Sequence, residues 1–150
     1  MAVPLTDTEI VRRLLLAALV GGMLGVEREI RQKSAGFRTN ILIGIGSSVF
    51  TMMSIAISAD RGDPGRIAAQ IVTGMGFLGA GAILRTRNGV HGLTTAATVW
   101  VNAALGIAAG AGEYHLAVIG ALITLAVLLV LHPIERGIEK RVQHDRRFEE

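Results

Sequence analysis

An all-α polytopic bundle of five transmembrane helices is the fold class that the sequence predicts, on three observations. Of the 150 residues, 51% are hydrophobic and 19 more are Gly, more than a water-soluble domain tolerates. Five windows, 14–26, 41–59, 67–84, 88–112 and 114–134, hold 96 residues and not one Asp, Glu, Lys or Arg. The connectors between them are short and polar. A hydrocarbon layer of about 30 Å asks for about 20 such residues per helix. Soluble enzymes and disordered chains are thereby excluded.

The first helix centres on Leu14 to Val26 and ends at Glu27-Arg28-Glu29. Its exit through Leu-Gly-Val-Glu offers no small-x-small cleavage site, and Ile10 and Val11 extend it while Arg12 and Arg13 snorkel. It is read as a retained span. The second runs from about Asn40 to Ala59, and the turn Asp60-Arg61-Gly62-Asp63-Pro64-Gly65 folds it antiparallel to the third, Ile67 to Leu84. Arg85-Thr86-Arg87-Asn88-Gly89 is read as the turn closing that helix. The fourth starts near Leu93 and thins out at Gly110-Ala111-Gly112, and the fifth runs from Tyr114 to His132-Pro133. Residues 1–134 form the membrane domain and 135–150 a short tail, and Leu131, Ile134, Ile138 and Val142 carry an apolar face from the one into the other. Glu27/Arg31 and Glu29/Lys33 are i,i+4 pairs in the favourable order.

Basic loops stay cytoplasmic. Eleven Lys and Arg fall on the side of the 27–40 loop, the 85–87 loop and the tail, and four on the other. The N-terminus is therefore expected outside and the C-terminus inside. A net charge of +3 with one Trp, one Tyr and four Phe makes nucleic acid a poor partner, and membrane lipid the anionic neighbour. The absence of Cys removes disulfides and thiolate metal sites.

Small and polar residues recur at helical spacing. Ala17, Gly21 and Gly25 mark the first helix, and Asn40, Gly44, Ser48 and Thr51 the second. Gln70, Thr73, Gly74, Phe77 and Gly81 mark the third, and Thr94, Thr98, Asn102 and Gly106 the fourth. Close helix packing is the first reading, with Gly76, Gly79 and Trp100 in the same set, and a lined solute path the second. Gly74-Met-Gly76-Phe-Leu-Gly79 fits GxGxxG by letter, but inside a span it cannot cradle a pyrophosphate. The mid-membrane positions carry no acid and no His, which disfavours a carboxylate-driven carrier. His91, His115, His132 and His144 are scattered over both sides, so a catalytic centre is not expected and no cofactor is called for. Asp60 and Asp63 are weak metal candidates, with magnesium conceivable as a regulatory ion. Topology gathers Glu27, Arg28, Arg38, Thr39, Asn40, Thr94 and Thr95 at the cytoplasmic edge, where Glu27 could pair with Arg38. That cluster is either an interfacial anchor or a site for an ion, a lipid headgroup or another protein.

The ordered motifs Gly25-Val-Glu-Arg-Glu, Ala35-Gly-Phe-Arg-Thr-Asn, Asp63-Pro-Gly-Arg-Ile-Ala-Ala-Gln-Ile-Val, Gly74-Met-Gly-Phe-Leu-Gly-Ala-Gly and Gly92-Leu-Thr-Thr-Ala-Ala-Thr-Val-Trp resemble the membrane domain of the MgtC/SapB family over about residues 10–130. The resemblance implies a bacterial inner-membrane protein tied to growth under magnesium limitation and, in pathogens, to virulence. It implies a non-enzymatic modulator of ion or energy homeostasis, with an ion or small-solute channel or transporter as the alternative. It further implies the F-type ATP synthase as a partner, while self-association into a homo-oligomer is expected from the Gly-rich helix faces. By matching position, the family's motif residues fall on Glu27, Arg28, Arg38, Thr39, Asn40, Arg66, Gln70, Gly76, Gly79, Gly81, Thr94, Thr95 and Trp100. Thr94 stands where some relatives carry Asn, and virulence-type members continue into a C-terminal cytoplasmic domain beyond the segment matched here.

Overall fold

A computed structural model describes residues 5–58, 63, 65–87 and 89–146. Helix α1 (Asp7–Ile30) opens on Thr6, whose Oγ1 accepts from the Glu9 amide, and carries Asp7 and Glu9 in its first turn, where the helix dipole favours anions. It is followed by α2 (Phe37–Ser58), α3 (Gly65–Ala82), a two-strand hairpin of β1 (Leu84–Thr86) and β2 (Gly89–His91), α4 (Leu93–Ala111) and α5 (Tyr114–Arg146).

Five helices occupy the five uncharged windows. Three of them, α2, α4 and α5 over Tyr114–Leu131, have both the length and the hydropathy of a membrane span. The other two fall short of the five expected spans for local reasons. Helix α1 begins and ends in charge (Glu9, Arg12, Arg13, then Glu27 to Glu29), and α3 dilutes its apolar residues with Arg66, Gln70 and five Gly.

Two connections differ from the expectation. The 85–89 turn is the tip of an antiparallel hairpin in register Leu84↔His91, Arg85↔Val90 and Thr86↔Gly89. Its Asn88-Gly89 dipeptide is a standard hairpin signal. Helix α5 also continues through Pro133, which withholds only the bond to the Leu129 carbonyl, as membrane helices tolerate. Between α4 and α5, Gly112 sits at φ +87°, a left-handed cap that side chains resist, and its amide closes on the Ala109 carbonyl.

Helices α1, α2 and α4 form the closest-packed part of the molecule. One core layer joins Val20 and Leu24 to Leu105, Ala121 and Leu128, and a second joins Ala35 and Ile43 to Ile71, Val99 and Ala103. The closest approach is made by glycine. A methyl group built on Gly106 would stand 2.6 Å from the Gly44 carbonyl oxygen, and one on Gly44 would stand 2.6 Å from that of Ala17. On the outside, Val11, Leu15, Leu19, Val26 and Ile30 make an exposed apolar stripe along α1. Helix α5 does the same with Leu116, Ile119, Leu122, Ile123 and Val130, and among its described side chains buries only Ala117, Ala121 and Leu128. Of the three candidate spans, Tyr114–Leu131 buries the smallest share of its residues.

Candidate functional site

The polar side chains expected at one rim divide into two groups. The first is an ionic knot at the end of α1. Glu27 is 6% exposed and Arg28 3%. Arg28 Nε donates to Glu27 Oε2, while Arg31 Nε lies against Oε1 as an ion pair without hydrogen-bond geometry. A buried carboxylate demands compensation, and two guanidinium groups give the trio a net charge of +1. Arg38 is not the partner: it is exposed, and Glu27 is already occupied from its own helix. The expected Glu29/Lys33 pair is also replaced, because Glu29 Oε2 accepts from the Phe37 amide at 3.0 Å and so ties the start of α2 to the end of α1.

The second group is an amide pair between α2 and α4. Asn40 and Asn102 are both 0% exposed. Asn40 Nδ2 donates to the carbonyls of Ala35 (2.8 Å) and Gly36 (2.9 Å), closing the turn before α2. Asn102 Nδ2 donates to the Asn40 carbonyl at 2.7 Å and to Asn40 Oδ1 at 3.2 Å. Along the same contact, Asn102 Oδ1, Ser47 Oγ and Ser48 Oγ are buried without a hydrogen bond inside the chain. Thr51 and Thr98 instead return their hydroxyls to the carbonyls four residues back, those of Ser47 and Thr94.

The remaining predicted positions scatter. Thr39 and Thr94 are exposed and Thr95 is buried. Gln70 is exposed and Trp100 half exposed. On α3 only Gly79 packs within the chain, against Ala96, whereas methyl groups on Gly74, Gly76 and Gly81 would meet open space. The expected glycine packing is therefore made by Gly21, Gly25, Gly44, Gly106 and Gly110 on the other three helices. Asp63 is exposed, and its Oδ1 accepts from the Gly65 amide at 2.8 Å, capping α3. Asp60 lies outside the described residues.

A third polar cluster, at the opposite end, escaped the sequence reading. Glu9 Oε1 accepts from Arg13 Nε (3.0 Å) and from the Tyr114 hydroxyl, while Arg13 Nη1 donates to the Gly110 carbonyl at 2.6 Å. Arg12 stacks over the Tyr114 ring, 4.6 Å from its centroid. The Tyr114 and Arg13 hydrogen bonds hold the Glu9 carboxyl below its ordinary value. Only Arg13/Glu9 had a legible spacing.

The profile of the MgtC family matches residues 14–137. The chain belongs to the MgtC family. Among its relatives, the putative magnesium transporter YhiD of Escherichia coli is 48% identical over 143 residues, covering 91% of this chain and 66% of YhiD. Protein MgtC of Salmonella typhimurium is 45% identical over 127 residues, covering 85% of this chain and 54% of that protein. An uncharacterized protein of Synechocystis is 42% identical over 137 residues. This MgtC-family chain thus spans between about half and two thirds of the curated relatives it matches. No solved structure matches it. With three span-grade helices and membrane-protein relatives, it is a membrane protein.

The matched segment contains both rim groups and the α2–α4 contact. In this MgtC-family fold the rim knot is poorly suited to a cation, because its one carboxylate is already held by two guanidinium groups. Among the described residues, no three His, Asp or Glu side chains converge.

Proposed function

We propose that this chain acts in the bacterial inner membrane as a non-enzymatic modulator linked to magnesium homeostasis, with its C-terminus in the cytoplasm, rather than as a pore. The observation that carries the reading is the closed α2–α4 contact. Of the side chains that would line a route, Asn40, Ser48, Thr98 and Asn102 are at most 3% exposed and lie against glycine contacts, while Thr94 is exposed. The magnesium link rests on kinship, since YhiD bears the name of a putative magnesium transporter. A resident magnesium site does not fit the described residues. The cation needs several oxygen ligands, whereas Glu27 is paired with Arg28 and Arg31 and Asp63 caps a helix. Magnesium is then the signal or cargo of the system, not a bound cofactor. The open face of Gly74 and Gly81 supports self-association. An energy-transducing partner such as the F-type ATP synthase, and a part in virulence, come from the family resemblance alone.

A second reading draws on one feature. A cavity of about 600 Å³ between α2 and α3 has Thr39, Ser47 and Gln70 among otherwise mainly apolar walls. It could admit a small solute, but it presents no charge to a divalent cation. Reconstitution into liposomes with a fluorescent magnesium reporter decides between the two. The modulator reading expects flux no higher than in empty vesicles. Flux abolished by Gln70→Leu would establish the carrier. The rim is tested separately by a Glu27→Ala strain at low magnesium, where wild-type growth at normal protein level would sink its role.

A further inference from the structure

The packed layer of Val20, Leu24, Ala121 and Leu128 leaves a groove of about 810 Å³ beside it, between α1 and α5. Its walls are apolar: Met23, Val26 and Ile30 from α1, and Leu125 and Leu129 from α5. Val26, Ile30 and Leu129 are all substantially exposed, so the groove opens sideways to whatever surrounds the bundle. At one end it changes character and is bounded by Glu27, Arg31, Gln32 and Lys33.

The turn there is built in an unusual way. Gln32 sits at φ +53° in the left-handed region, which residues bearing a side chain rarely adopt. The Lys33 amide closes on the Arg28 carbonyl and the Gln32 amide on that of Glu29, a Schellman ending that folds Lys33 back to the groove. Arg31 keeps 22% of its side chain exposed while paired with Glu27. Lys33 has no carboxylate at ion-pair distance among the described residues. With Arg28 behind it, this end of the groove carries three cations against the one carboxylate of Glu27. Glu29 is turned to the Phe37 amide.

We propose that this groove binds one anionic phospholipid, with its phosphate at Arg31 and Lys33 and an acyl chain along Met23, Val26, Leu125 and Leu129. A free anion would gain nothing from the apolar walls. A neutral lipid would leave the cationic end uncompensated, and an apolar helix from another protein would do the same. Only an amphiphile with a negative head satisfies both ends, and the membrane around the bundle supplies it.

The test uses the purified chain in a neutral maltoside detergent, read by native mass spectrometry and thermal unfolding. It is titrated with palmitoyl-oleoyl phosphatidylglycerol, with phosphatidylcholine of the same chains, and with inorganic phosphate. Phosphatidylglycerol is expected to bind roughly tenfold or more tightly than phosphatidylcholine, and Lys33→Ala to remove about fivefold of that preference while leaving phosphatidylcholine unchanged. Leu129→Trp fills the groove and is expected to weaken both lipids. If that variant does not fold, Val26→Trp on the facing wall serves instead. Equal binding of the two lipids, an undiminished preference in Lys33→Ala, or equal protection by inorganic phosphate would each overturn the proposal.

Discussion

Replacing Gly106 by Ala tests whether glycine contact sets the spacing of α2 and α4. The added methyl would lie 2.6 Å from the Gly44 carbonyl oxygen, 2.8 Å from Ser47 Cβ and 3.1 Å from Gly44 Cα. Two of these neighbours are backbone atoms, so no rotamer change relieves the clash. Reaching an ordinary C···O contact of about 3.3 Å moves α4 back by about 0.7 Å. The same displacement stretches the 2.7 Å bond from Asn102 Nδ2 to the Asn40 carbonyl to about 3.4 Å, beyond useful hydrogen-bond length. Overpacking of about 1–3 kcal/mol plus about 1 kcal/mol of lost hydrogen bonding, less about 1 kcal/mol of helix propensity gained on replacing Gly, gives a destabilisation of about 1–3 kcal/mol. Gly76→Ala is the control. Its methyl meets nothing within 4 Å, and helix propensity alone favours it by up to about 1 kcal/mol. Reversible unfolding in mixed micelles, followed by far-UV circular dichroism against the mole fraction of denaturing detergent, reads both variants. A Gly106→Ala protein that unfolds with the wild type would refute the argument.

Three further outcomes are expected. Asn102→Ala removes the donor to Asn40 Oδ1 at a fully buried position, so the same unfolding assay should register a loss of about 1–3 kcal/mol, and Asn102→Gln should not restore it. Arg28→Ala leaves the Glu27 carboxylate with Arg31 alone and should cost about 3–5 kcal/mol. Adding Glu27→Gln in the same chain should recover part of the loss, and a double variant no better than the single would contradict the knot. Because Glu9 titrates below its ordinary 4.5, its contribution to stability is fully present above that value and is lost as pH falls through the lowered one. Tyr114→Phe removes the leading cause, so an acid-unfolding curve should move to higher pH, and an unmoved curve would count against the Glu9–Tyr114 bond.

The helices were legible because an uncharged window ended by Glu27-Arg28, Asp63-Pro64 or Gly112 leaves little freedom in where a span stops. The buried partners of Asn40 were harder to read. Spacing puts Asn40 and Asn102 on inward stripes, yet nothing in one dimension says that two helices 62 residues apart bring them to the same depth. The Glu27–Arg28 bond was missed for a different reason: neighbours on a helix point about 100° apart, and only the fold of the arginine side chain brings them together. The glycines of α3 misled, because Gly74 and Gly81 have the spacing of a packing stripe and the chain supplies no neighbour for it. In the Glu9–Arg13–Tyr114 cluster, Glu9 and Arg13 precede the first uncharged window and Tyr114 opens the fifth, so no spacing along the chain joins them. The 84–91 hairpin carried its Asn-Gly signal openly but is too short to register as strands.

The joint between α2 and α4 is pinned at two heights, by the amide pair at Asn40 and Asn102 and by the glycine contact of Gly44 with Gly106. Two pins on one joint work like a vernier. Sliding one helix along the other by a turn, about 5.4 Å, would unseat both pins together, so no intermediate register holds either of them. Axial slippage is thereby forbidden to this pair. Any rearrangement that carries a message across the bilayer must be made by swinging α3, which buries only Ile71 and Gly79, or by moving α5 about its anchored Tyr114 end.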